Sequence, residues 1–161
     1  MQSYLPGLTY LHSILRYFII LFAIIVAIQC LMGMMGKKKF KSMNKQSALV
    51  LLIFCDLQLL LGVILYSLKG MTNLFSSGDV MKDPVKRFWA VEHGVGMIIA
   101  IVLVHIGYSA TKKLMDDDRK FKKLFWCVFA AFVVIIATIP WQWRTPGVGR
   151  PNVPSIMRSA V

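Results

Sequence analysis

Apolar residues gather in four long stretches, at about 9–35, 47–69, 88–111 and 121–140, divided by short segments rich in lysine, aspartate, glycine and proline. Each stretch is close to the roughly 20 residues a helix needs to cross about 30 Å of hydrocarbon. Lipid offers the backbone no hydrogen-bond partner, so spans of this length are helices. The pattern predicts an all-α, integral membrane four-helix bundle over residues 1–144, running up-down-up-down, followed by a Gly/Pro-bearing tail at 145–161 that reads as extended. Thr9 is the expected N-cap of the first span, with Pro6 and Gly7 ahead of it. That span has no basic n-region, is too long for a signal peptide and leads straight into lysines, so it is expected to stay as a membrane helix.

Composition agrees: 57% of the 161 residues are hydrophobic and the mean hydropathy is +0.65, outside the range of a soluble domain. Charge then sets the orientation. The first and third loops carry five and six basic residues, whereas the second loop and the tail carry four and three. The positive-inside rule puts the first and third loops in the cytoplasm and both termini outside. Tyr4, Tyr10, Trp89, Trp141 and Trp143 then fall at the outer interface and Trp126 near the inner one. The net charge of +12 would suggest nucleic acid in a soluble protein. Here the basic residues flank apolar spans, so no nucleic-acid partner is expected and the lipid bilayer is. Cys30, Cys55 and Cys127 lack a CxxC spacing and read as small buried apolar residues.

Ionisable groups inside spans are costly and mark function. Here they are His12, Arg16, Asp56, Glu92, His93 and His105. At about 1.5 Å per residue, His12 and Arg16 lie roughly 5 and 10 Å in from the outer end of the first helix, and Glu92 and His93 roughly 6 to 8 Å in on the third. Asp56 falls near mid-depth, and His105 stands alone in the inner leaflet.

Helices one and three of such a bundle are diagonal, separated by roughly 11–14 Å, so His12 and His93 can reach inward and fill both axial positions of one haem iron. Gly94 and Gly96 would leave room for a macrocycle. Arg16, one turn below His12, would pair with a propionate, with Asp56 or with Glu92. Tyr17 and Tyr66 offer hydroxyls to the same cluster or to a quinone headgroup, and Met97, Met34 and Met35 are weaker ligand candidates. His105 lies 12 residues after His93 but on a different helix face, and the inner leaflet has no second histidine, so one haem is the ceiling. Asp56, His105 and Tyr66 are then candidate proton or quinone contacts, with a structural role as the alternative for His105. The plainer reading takes the histidines as buried polar residues and Asp56 with Arg16 as a structural ion pair.

The segments LHSILRY (11–17), DLQLLLGVILY (56–66), RFWAVEHGVGM (87–97), HIG (105–107) and IPWQWR (139–144) together resemble a family of small four-helix bacterial inner-membrane proteins labelled cytochrome b. The resemblance implies haem b held by His12 and His93, with Arg16, Asp56 and Glu92 as polar support. The expected role is an electron carrier or a small subunit of a respiratory or redox complex, with other subunits of such a complex or a homo-oligomer as the expected alternatives for partners. Respiratory cytochromes b resemble bundles with four histidine ligands, whereas this chain has three histidines in all. A looser similarity, by size and by histidine and arginine in the first helix, is to the four-helix membrane protein that oxidises protoporphyrinogen. The alternative from another class is a non-redox membrane protein, either an accessory scaffold or a proton or ion pathway through Arg16, Asp56, Glu92 and His105. No hydrolytic or phosphate-binding motif is present.

Overall fold

A computed structural model describes residues 4–150, apart from the side chain of Ser77. Four long helices form it: α1 (Leu5–Met35), α2 (Ser42–Leu68), α3 (Pro84–Thr111) and α4 (Asp117–Thr138). Each is long and apolar enough to cross a membrane, and no strand occurs among the described residues. The protein is therefore an all-α, multi-pass bundle.

Local chemistry moves the helix boundaries away from the apolar pattern. α1 begins at Leu5 and not after Thr9, because Pro6 fits the first turn, where its fixed φ suits the helix and its missing N–H would have gone unbonded. α2 begins at Ser42, drawing the polar SMNKQ segment into the helix, and Asn44 Oδ1 accepts the Lys41 amide at 2.9 Å. Asp83 caps α3 by accepting from the amides of Val85 (2.8 Å) and Lys86 (3.1 Å). α4 opens with Asp117 and Asp118, which suit the positive end of the helix dipole, and it stops at Thr138, short of Pro140.

Neighbouring helices in the chain pack side by side, α4 returns against α1, and α1 faces α3 across the diagonal, as expected of an up-down-up-down bundle. The buried stripe of α1 shows how the faces are sorted. Ile19, Ala23, Val26, Cys30 and Gly33 recur at steps of three and four and point inward, while Leu21, Ile24, Ile28 and Leu31 form an exposed apolar stripe suited to lipid. Small residues let the helices approach closely: a Cβ on Gly33 would lie 2.5 Å from the Phe121 ring. Cys30 and Cys55 are free thiols in this core, as expected of small apolar residues, and Cys127 is free and half-buried.

Both ends of the described chain lie at one end of the bundle, the α1–α2 and α3–α4 loops at the other. The α2–α3 connection is a 3₁₀ helix, Met71–Ser77, entered and left through Gly70 and Gly78 at φ 65° and 68°. After α4 the chain turns back over this end and is not extended. Gly147, at φ 89°, presents its carbonyl to Trp89 Nε1 at 2.9 Å, and Val148 is buried. Residues 151–161, the rest of the expected tail, lie outside the described residues.

Candidate functional site

At the terminus-bearing end, His12 from α1 and His93 from α3 meet across the diagonal, with ring centroids 6.5 Å apart and ring planes at 69°. The gap expected between diagonal helices is closed by the two side chains.

Three contacts from different helices position His93. Its own amide donates to Phe88 O, five residues back, which closes a π-helical turn over Phe88–Glu92. Such turns are rare and concentrate at functional sites. Tyr66 on α2 donates its hydroxyl to Ala90 O inside that turn at 2.8 Å. Finally, His93 Nδ1 lies 2.9 Å from Thr138 O. A carbonyl only accepts, so Nδ1 carries the proton and Nε2 keeps its lone pair. Phe88 and Trp89 flank the ring at 6.0 and 6.1 Å between centroids.

His12 is placed by α2. Gln58 Nε2 donates to the His12 carbonyl at 2.9 Å, and Gly62 makes room for the ring, since a Cβ there would stand 3.4 Å from His12 Cε1. His12 Nδ1 is buried and has no hydrogen-bond partner among the described residues. Buried polar atoms are seldom left in that state.

The surroundings are cationic. Arg16, 8% exposed, lies over the Tyr17 ring at 4.9 Å and the Trp141 ring at 5.8 Å, and it donates to the Tyr17 hydroxyl at 3.2 Å. Lys69 and Arg16 are both close enough to act electrostatically on His12, as Arg144 and Arg16 are on His93. Lys69, just past α2, is itself held below the usual ammonium range by burial and then by the charge of Arg150. Glu92, an expected partner of Arg16, is bonded to Arg87 at 2.6 Å. The mouth of the bundle therefore favours a ligand that brings negative charge.

Other expected site residues fall elsewhere. His105 is not alone: its Nε2 lies 2.8 Å from Asp56 Oδ1. Side chains lean toward the N-terminus of their own helix, so on antiparallel α2 and α3 residues of unequal depth lean toward each other and meet. Both are about half exposed on the outside of the bundle. Arg16, Asp56, Glu92 and His105 thus contribute to separate contacts and not to one line of polar groups. Tyr66 has its hydroxyl committed to the α3 backbone. Gly96 does not face open space: a Cβ there would lie 2.5 Å from Thr138 Cγ2, so this glycine admits α4. Gly94 is the open one, with nothing within 4 Å of a Cβ. Met97 and Met34 pack against the core.

Sequence reasoning missed Gln58, Gly62, Thr138, Trp141 and Lys69. Gln58 was available as a polar residue within an apolar run, whereas Thr138 acts through its carbonyl, which every residue possesses. Among the described residues no three histidine, cysteine, aspartate or glutamate side chains converge to hold a bare metal ion. The donor set at this end is two imidazoles with ring centroids 6.5 Å apart and planes at 69°. Comparison with known protein families, curated proteins and solved structures finds no match.

Proposed function

We propose that the protein is a membrane haem b protein of the cytochrome b-like kind. It would be an electron carrier or the small subunit of a redox complex, with its terminus-bearing end on the outer side of a bacterial inner membrane. The carrying observation is the 6.5 Å separation of the His12 and His93 rings. A nitrogen ligand bonds a first-row metal at about 2 Å, and a ring centroid lies about 1 Å behind its nitrogen, so two imidazoles that would hold one metal between them stand about 6 Å apart. The proton that His93 shares with Thr138 O gives that ring the second-sphere hydrogen bond typical of a metal-ligating histidine. His12 Nδ1 has no such hydrogen bond among the described residues, so neither nitrogen of that ring is committed to a partner that would keep it from ligating.

In this reading Arg16, Lys69 and Arg144 would hold the carboxylates of the macrocycle, while Phe88, Trp89 and Trp141 would supply its apolar walls. Held by His12 and His93, the group would supply one-electron transfer. The protein's part is to keep both rings fixed and the site dry, so that little reorganisation accompanies a change of charge.

A pyridine haemochrome assay on protein purified from membranes tests the reading. One haem per chain is expected, with loss of at least nine-tenths in both His12→Ala and His93→Ala. Haem-free wild type, or unchanged haem in both variants, overturns it.

A further inference from the structure

The Asp56–His105 contact lies apart from that site and poses a separate problem. Counted from Thr111 at the lysine-rich end of α3, His105 is about 9 Å deep, inside the apolar band. Ionisable groups at such depth face a bundle interior, a watery cavity or a partner, because lipid tails can neither donate nor accept a hydrogen bond. Yet the His105 and Asp56 side chains are 49% and 46% exposed on the outer surface, over the α2–α3 seam. The exposed side chains on these two helices near the pair include Ile53, Leu57 and Leu60 on α2 and Ile98, Val102 and Ile106 on α3, all apolar, with the Ser109 hydroxyl, one turn after His105, bonded to its own helix. The exposed stripe of α1, by contrast, carries no ionisable residue and is complete against lipid. The α2–α3 seam is also the most sparsely packed of the four between adjacent helices.

We propose that a second copy of this chain covers the seam, with α2 and α3 of one subunit against α2 and α3 of the other about a two-fold axis. The polar pair is self-complementary. The Asp56 carboxylate has lone pairs beyond the one that His105 uses, and a protonated His105 ring has a second N–H to donate. A two-fold mate would return each donor to an acceptor, closing a cluster of two Asp56 carboxyl groups and two His105 rings. The apolar neighbours, spaced at three and four residues along both helices, form the rim.

The test uses full-length chains bearing donor or acceptor dyes at the N-terminus, reconstituted together in lipid vesicles over a range of protein-to-lipid ratios. Energy transfer that saturates as a dimer is expected. The paired variant Asp56→Leu with His105→Leu should raise the dissociation constant at least tenfold. The exchanged pair, Asp56→His with His105→Asp, should restore it, because it keeps the complementarity. Should the leucine variant fail to fold, cysteine crosslinking locates the seam: Leu60→Cys should join two chains, and Phe129→Cys, on α4, should not. Monomeric wild type at every ratio would overturn the proposal, leaving lipid or another kind of molecule to cover the pair. So would association that the leucine pair leaves intact, or crosslinking through Phe129→Cys alone.

Discussion

The molecule has two histidine-centred contacts within its membrane-spanning helices, and they differ in nearly every physical respect. At the terminus-bearing end, His12 faces another histidine, cations surround the pair, and both backbones are tied to helices outside the pair. Nearer the lysine-rich end, His105 faces a carboxylate, the two groups complete each other, and half their surface lies outside the bundle. His105 has an acid for its partner within the chain. The charged groups acting on His12 and His93 are the cations Arg16, Lys69 and Arg144, and that local excess of positive charge suits an anionic ligand. Residue type alone would have ranked the two contacts equally, and partner and exposure separate them.

The comparison is most severely tested through the packing behind His93. Gly96→Leu drives a branched side chain into Thr138, parting α3 from α4 and moving the carbonyl that holds His93. Haem should be lost, and thermal unfolding in detergent, followed by tryptophan fluorescence, should report destabilisation of about 3 kcal/mol. An unchanged melting temperature and haem content would mean that the rigid backing of the His12–His93 pair is illusory.

Smaller effects are expected where one hydrogen bond is removed. Gln58→Leu deletes the donor to the His12 carbonyl and should lower stability by about 1 kcal/mol in chemical unfolding, with a shift in the haem absorption bands. Tyr66→Phe frees Ala90 O in the π turn and should cost about 1 kcal/mol or somewhat less, again with a spectral shift because His93 follows that turn. The smallest effect sharpens the contrast most. Asp56→Leu with His105→Leu should leave the haem content of the purified protein unchanged. A haem content halved or worse would show that the two contacts act as one.

Much of this was open to reading in the sequence. Four apolar runs fixed the number of helices, and connectivity fixed which lie on the diagonal, so two histidines at matched depth on the first and third spans could be brought together from residue numbers alone. Boundaries were less legible, because Pro6 and Asn44 extend helices into segments that hydropathy treats as loop. Gly96 announced a close approach but not whose, and the answer was Thr138 in place of a ligand. The Asp56–His105 contact escaped because depth was counted at the backbone, whereas antiparallel helices tilt their side chains toward each other. The role of Thr138 left no trace, since a carbonyl has no signature in the amino-acid alphabet.

The π turn before His93 has a further consequence when α3 is regarded as a screw. An α-helix advances about 100° per residue, and a turn closed over five residues absorbs one extra residue without lengthening the thread in proportion. The part of α3 before Phe88, which meets Gly147 through Val85, and the part after Glu92, which presents His93, Gly96 and Ala100 inward, therefore run on two different phases of the same rod. Removing one residue between Phe88 and Val91 would bring them back into step. The wrong faces would then turn toward the tail or toward the bundle, and one of the two surfaces would have to give way.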